Sequence, residues 1–270
     1  MRQQYITGEH DENAPCLKLA GRKIIVSGGA SGMGASAVRA IADAGAEVCI
    51  LDVQADLGAS LAAEVSQVGR AHFLRTDVSR SDQVASSVET ASELMGGIDG
   101  LFHHAGILVV RPYHETSDDE WDRLMRINVD GSFFVTRQVI PHLIRAGGGD
   151  LVVTASISSG RAFPLESGYC ISKAAVLHLA RCIAVEYRDQ GIRCNAICPA
   201  FTRTPHGTTE IEQLSALGQS WGEEGLTEKQ GRICEPEEVA QTVLFLLDRS
   251  KSGFINGQDI YLDNGWMAAG

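Results

Sequence analysis

Three residues near the middle of the chain could together move a proton. Tyr169 follows Ser156 by thirteen positions, and Lys173 follows Tyr169 by four. In the run Tyr169-Cys170-Ile171-Ser172-Lys173 the phenol and the ammonium share one face if the segment is helical. A phenol ionises near pH ~10, too high for exchange at neutral pH. A fixed cation beside it favours the phenolate and lowers that value. A serine hydroxyl delivered by a neighbouring strand could hold a substrate oxygen while the phenol gives or takes its proton. That is the chemistry of an alcohol and a ketone, provided something else accepts the hydride. A Tyr-x-x-x-Lys pair alone describes many ordinary surface helices, so the surrounding elements decide its meaning.

Those elements alternate. Short apolar runs that read as strands cover 23–27, 47–52, 72–76, 101–104, 150–155, 193–198 and 259–262. Most are continuously apolar, as strands covered on both faces are. Helical spacing appears at 35–44 (Val38, Ile41, Ala42), 81–94 with Ser81 as N-cap, 118–146 with a break near Pro141, 174–187 and 236–247 with Pro236 in its first turn. The alternation predicts a single α/β domain over 19–270, a doubly wound parallel sheet of about seven strands with helices on both faces. One long stretch, about 200–235, shows no strand and reads as an acidic loop of the kind that often forms a lid.

Composition narrows the function classes. At 270 residues, 44% apolar and 21% charged, the chain resembles an ordinary globular protein, and its net charge of −11 argues against nucleic acid as a partner. No apolar run reaches the ~18 residues of a membrane span. Residues 1–18 read as a flexible polar extension without the basic start and apolar stretch of a signal peptide. The seven cysteines (Cys16, Cys49, Cys170, Cys182, Cys194, Cys198, Cys234) are odd in number, lack a Cys-x-x-Cys and fall largely in apolar runs. They read as free thiols of a reducing cytoplasm; Cys194, Cys198 and His206 are not expected to bind metal.

A nucleotide site is written into the first strand–helix unit. The first strand runs into Ser27-Gly28-Gly29-Ala30-Ser31-Gly32-Met33-Gly34 and then into an amphipathic helix. Glycines there permit a tight turn and close approach of a pyrophosphate to backbone amides at the positive end of the helix. Asp52 ends the second strand, where a carboxylate accepts hydrogen bonds from both ribose hydroxyls and repels a 2′-phosphate. No Arg or Lys stands at Val53, Gln54 or inside the glycine loop. The expected cofactor is therefore NAD in preference to NADP.

With these motifs in order, nearly the whole chain from Leu19 onward resembles the short-chain dehydrogenase/reductase family, in its single-domain branch. The glycine loop matches that family's Thr-Gly-x-x-x-Gly-x-Gly with Ser27 in place of Thr. Asp77-Val78 matches its adenine-contacting pair, and Asn128 its catalytic Asn. Ser156, Tyr169 and Lys173 match its active-site trio, and Pro199 to Thr204 its Pro-Gly-x-x-x-Thr segment, with Ala200 for Gly. His104-Ala105-Gly106 stands where the family has Asn-Ala-Gly, so an imidazole must replace part of the bonding of a sheet-tying amide; the adjacent His103 reads as structural.

The resemblance implies reversible hydride transfer between a secondary alcohol or ketone and a nicotinamide. Tyr169 is then the acid–base group, Ser156 holds the substrate oxygen, and Lys173 binds the nicotinamide ribose and lowers the phenol pKa. Asn128 supports a water chain from Lys173, and Thr202 and Thr204 lie near the carboxamide and phosphates. It also implies a homotetramer. The competing readings are a catalytically silent NAD-binding or scaffolding protein on the same fold, and a biosynthetic ketoreductase. Expected pocket residues are Val109, Val110, Ser158, Phe163, Leu165, Glu166, Ala200 and the 205–235 lid. Their largely apolar character points to a cyclic, steroid-like or short aliphatic small-molecule substrate, with Glu166 able to orient a polar or cationic group.

Overall fold

The computed structural model describes residues 19–219 and 222–269; the expected N-terminal extension and Cys16 lie outside them. The first half contains β1 (Lys23–Ser27), α1 (Gly32–Asp43), β2 (Glu47–Asp52), α2 (Ala55–Val65), β3 (Arg70–Arg75), α3 (Ser81–Met95) and β4 (Gly100–His103). The second half begins with α4 (Asp118–Met125), a π-helical turn at Arg126–Asp130, α5 (Gly131–Arg145), β5 (Gly149–Thr154) and α6 (Ser167–Glu186). It continues through β6 (Ile192–Pro199), α7 (Pro205–Ala216), α8 (Glu223–Gln230), α9 (Pro236–Leu247) and β7 (Asp259–Leu262).

The strands form one parallel sheet in the order β3-β2-β1-β4-β5-β6-β7. The runs of β1, β2, β4, β5 and β6 are buried because each face carries a helical layer, while the edge strands β3 and β7 are only partly covered. Val84 and Val88 of α3, Val135 and Val139 of α5, and Val176 and Ala180 of α6 pack against one face. Val38 and Ile41 of α1, Leu61 of α2, and Val239 and Val243 of α9 pack against the other. The chain steps outward from β1 to β3 and then crosses to β4, so the strand order switches between β1 and β4. A crevice opens at the carboxyl ends of the strands at such a point.

Several local expectations change. Pro141 does not break a helix; it sits inside α5, and the interruption is the earlier π turn at Arg126–Asp130, around Asn128. Ser81 is the first helical residue of α3, with Arg80 at the cap and no side-chain capping bond. The helix expected at 174–187 starts at Ser167, so Tyr169 and Lys173 lie within α6. α2 is an additional helix. The 200–235 segment is not a loop: it folds into α7 and α8, and a bridge between Thr202 and Cys234 ties its two ends together. This segment has a small core of its own, where Leu214 and Leu226 pack with Phe163, Phe201 and Trp266. Its apolar partners come from distant parts of the chain, which is why its own periodicity reads poorly.

By length and composition α6 could cross a membrane. Here its buried face, with Val176, Leu177, Ala180 and Ile183, belongs to the main core.

Candidate active site

One cavity of about 610 Å³ runs along the carboxyl ends of the strands. Its first part is made largely of backbone. Gly28 has φ 69°, and a Cβ there would stand 2.6 Å from the amide nitrogen of Ala105. A Cβ on Gly34 would come within 2.0 Å of the Gly28 carbonyl oxygen. Both positions thus require glycine, the first for conformation and contact, the second for the approach of α1 to the loop. Ser31 caps α1 without a side-chain bond to its amides; its hydroxyl accepts instead from Gln54 Nε2 at 3.2 Å. The first-turn N–H groups of α1 therefore remain available to an anion.

Asp52 lies at the end of β2, buried, and its two oxygens accept from the amides of Ala30 (2.9 Å) and Gln54 (3.0 Å). Each oxygen keeps a second lone pair toward the cavity. Gly28, Ser31, Gly32, Met33, Asp52, Asp77, Val78, His104, Ala105, Gly106, Thr202 and Thr204 all line this cavity, while Gly34 supports it from behind. Asp77 differs in detail from a free adenine-facing carboxylate: its Oδ1 already accepts from Ser79 N (2.9 Å) and Ser79 Oγ (2.7 Å). Glycine-shaped space, uncapped helix amides and a strand-end carboxylate fit an adenine dinucleotide.

The trio stands further along the same cavity. Ser156 follows β5, Tyr169 and Lys173 project from α6, and all three line the wall. Ser156 Oγ accepts from Ser158 N at 3.1 Å, and Ser156 exerts a lowering influence on the Tyr169 phenol. Ser158, its neighbour in type, also lines the cavity. Lys173 Nζ donates to the Thr154 carbonyl at 2.9 Å and lies 5.6 Å from the centroid of the Tyr169 ring. Burial lowers the Lys173 ammonium to about 8. The phenol moves opposite to the expectation: burial, then the charges of Glu210 and Glu166, raise it well above 10, against a smaller lowering by Ser156. In this structure desolvation is the largest influence on the phenol.

Asn128 stands in the π turn, outside the cavity wall but tied to it. Its Nδ2 donates to the Ile107 carbonyl and to Ser172 Oγ, both at 2.9 Å, and its Oδ1 accepts from Ile107 N at 2.8 Å. It thereby joins the exit of β4 to α6 next to Lys173. A π turn at such a place is a common device of functional sites. His104 Nδ1 meets Thr154 Oγ1 at 3.1 Å and its ring stacks on Phe102, so the imidazole retains one link from β4 to β5. His103 is buried between Ser27 Oγ (2.6 Å) and Ser132 Oγ (2.9 Å). Burial pushes both imidazoles down to about 3, with Lys173 adding to it, so both are neutral at physiological pH.

The far end of the cavity is built from side chains. Of the expected pocket residues, Ser158, Phe163, Glu166 and Ala200 line it, joined by Pro205 of α7. Val109, Val110 and Leu165 do not; Val110 is buried in the small core beneath α7 and α8. His206 and Glu210, within the expected 205–235 lid, line it as well, and Phe201 is a wall residue outside the expected set. A signal for them was present: Thr204-Pro205 reads as an N-cap and first helical residue, and Thr204 Oγ1 does accept from Gly207 N at 3.0 Å. On a helix starting there, His206 and Glu210 share a face.

Glu166 and Glu210 line the cavity together, and each carboxyl shifts the other. Burial raises the Glu166 carboxyl to about 7; Glu210 lies well above the carboxylate range, through burial and the charge of Glu166. Among the described residues no cluster of three or more His, Cys, Asp or Glu could hold a metal ion.

Comparison with known proteins agrees with this geometry. Residues 28–267 match the family profile described as enoyl-(acyl carrier protein) reductase. A 3beta-hydroxysteroid dehydrogenase of Eggerthella lenta is 36% identical over 253 residues, spanning 93% of this chain and 96% of its own. A cyclopentanol dehydrogenase of Comamonas is 34% identical over 246 residues, 91% and 96% of the two chains. The crystal structure of levodione reductase superposes with a TM-score of 0.88 at 31% identity, covering 93% of this chain and 99% of that one.

Proposed function

Because the chain belongs to the short-chain dehydrogenase/reductase family, and is an oxidoreductase of that type, we propose that it is a NAD-linked dehydrogenase of cyclic secondary alcohols with Tyr169 as its acid–base group. The observation that carries the reading is that Ser156, Tyr169 and Lys173 share one cavity with the glycine loop and Asp52. The names of the hydroxysteroid and cyclopentanol relatives support a cyclic substrate. Asp52, with no Arg or Lys at positions 53 and 54 or in the glycine loop, supports NAD over NADP.

Bound NAD⁺ would supply the hydride acceptor and a positive ring near the phenol. The chain's own groups do the rest. Ser156 Oγ holds the substrate oxygen. Tyr169 Oη takes the hydroxyl proton as the carbinol carbon gives up its hydride, leaving a ketone. Lys173 spends one N–H on Thr154 and has two more for the ribose hydroxyls, and its charge favours the phenolate. Asn128 positions the Gly106–Ile107 edge and α6, and a proton leaving the site would pass from Lys173 to water on that side. Thr202 and Thr204 lie where the carboxamide and phosphates are expected.

A second direction has an observation of its own. The raised phenol is in its acid form at neutral pH, which suits protonation of a ketone oxygen during reduction. Absorbance of NADH, followed with a panel of cyclic alcohols and ketones, measures both directions. Tyr169→Phe should bind NADH but lose about 10²–10⁴-fold in turnover. Turnover at the wild-type rate would remove Tyr169 from the mechanism, and a silent wild-type protein that still binds NADH would favour the scaffolding alternative.

The expected tetramer is supported by apolar side chains left exposed on α5 and α6, among them Phe133, Ile171 and Val185. Sedimentation velocity tests it. A cytoplasmic location is consistent with the free thiols and remains part of the same proposal.

A further inference from the structure

The segment leading into α6 departs from ordinary backbone geometry at Leu165. Leu165 has φ 67°, a left-handed conformation that a branched side chain adopts only under strain. Its carbonyl accepts from Arg111 N at 2.7 Å, which helps hold it there. Glu166 follows at the N-cap of α6, where a side-chain oxygen ordinarily accepts from first-turn amides. Glu166 makes no such bond. Its carboxyl instead lines the cavity, 3% exposed, facing Glu210 of α7.

Neither carboxyl forms an ion pair with any cation among the described residues. The other titratable groups around them are Tyr169 and Cys170 of α6, Lys173 one turn below, His206 of α7 and His104 after β4. Among the described residues, the group set against the Glu166 carboxyl is another acid, Glu210. A carboxyl buried this deeply, denied its capping bond and offered no cation, has hydrogen-bonding capacity directed into the cavity.

Two carboxyls in contact share a proton, because both cannot ionise side by side. The pair then presents one O–H donor and several acceptor oxygens with a single negative charge. A neutral hydroxyl, itself donor and acceptor, complements that arrangement. A fully cationic group would instead expel the shared proton. The pair lines the same cavity as Tyr169 and its charge raises the phenol, so a group bound there lies near the reacting carbinol. Ile157, Phe163 and Phe201 leave apolar wall for the carbon skeleton between them.

We propose that Glu166 and Glu210 bind a second hydroxyl adjacent to the reacting one, so that the enzyme acts on cyclic diols and their hydroxyketones in preference to simple cyclic alcohols. The assignment rests on the dehydrogenase reading above and names its substrate class.

The test compares 1,2-cyclohexanediol with cyclohexanol as substrates with NAD⁺. The wild-type protein should favour the diol in kcat/KM by about tenfold or more, the worth of one charge-assisted hydrogen bond. Glu210→Leu should reduce that ratio by about tenfold, mainly through KM. Glu210→Gln, which keeps a donor opposite Glu166, should hold the ratio within about threefold of the wild type. Equal use of the two substrates by the wild type, an unchanged ratio in Glu210→Leu, or a preference for 2-aminocyclohexanol over the diol would each overturn the proposal.

Calorimetric titration of both alcohols into the protein with NADH supplies a readout independent of turnover. Tighter binding of the diol, lost in Glu210→Leu and kept in Glu210→Gln, supports the carboxyl pair even if neither alcohol is oxidised. That outcome would count against the dehydrogenase reading alone. Circular dichroism confirms folding, and Glu166→Gln provides a second, volume-conserving variant that should also keep the diol preference.

Discussion

Both ends of the central sheet bury carboxylates, and they treat them in opposite ways. At the amino ends Asp150 is 1% exposed and surrounded by arginines: Arg193 Nε at 2.8 Å, Arg249 Nη2 at 2.9 Å and Arg22 Nη2 at 3.0 Å. These arginines come from before β1, from β6 and from after α9, so the cluster ties distant segments together. At the carboxyl ends Asp52 accepts only backbone amides, and Glu166 faces Glu210. None of these three has a cationic partner among the described residues. A buried charge that is fully paired serves structure; one that is left without a counter-charge keeps its capacity for a ligand, at some cost to folding.

The largest effect should come from the paired end. Asp150→Asn leaves the arginines without their common counter-charge and should destabilise the fold by about 3–5 kcal/mol, read from urea unfolding. A midpoint equal to the wild type's would show that the cluster is not structural, and the contrast would collapse.

At the ligand end, Asp52→Ala should reduce the NAD/NADP ratio of kcat/KM by about 10–100-fold, the loss of hydrogen bonds to a charged acceptor. An unchanged ratio would mean that discrimination lies elsewhere.

The smallest effect sharpens the comparison most. Glu166 has its carboxyl raised from 4.5 to about 7, so the folded chain holds that proton more tightly than the unfolded one. Its contribution to stability is present below about 4.5 and is lost as pH rises through 7. Glu166→Gln should therefore stabilise the protein by about 1–2 kcal/mol above neutral pH, with the gain shrinking toward zero in acid. Since Glu166 also helps raise the Tyr169 phenol, the same variant should begin oxidising alcohols at a lower pH than the wild type. Destabilisation at every pH would place Glu166 with Asp150, as a structural carboxylate.

Legibility followed the same division. The strands at Lys23–Ser27, Glu47–Asp52 and Asp259–Leu262 matched residue for residue, and the other four shifted by one or two positions. A strand covered on both faces is a local apolar run, and its partners do not alter that signal. Pro141 misled because its ring was read as a break, whereas α5 accommodates it; the true interruption, the π turn at Asn128, has no comparable sequence mark. α7 and α8 were hidden for another reason. Few of their residues are buried, and those pack on Phe163 and Trp266 from remote segments.

The sequence by itself determined the parts whose chemistry is local: a glycine loop ahead of a helix, a carboxylate at a strand end, and a Tyr–Lys pair four positions apart. Their meaning is carried by backbone conformation and short spacing. Only the tertiary structure decided how the phenol is tuned and which acids face it. Glu166 and Glu210 are 44 positions apart and come together only because the fold places both on the wall of one cavity. Desolvation depends on every layer that covers a group, so the direction of the Tyr169 shift was settled by packing and not by the lysine one turn away.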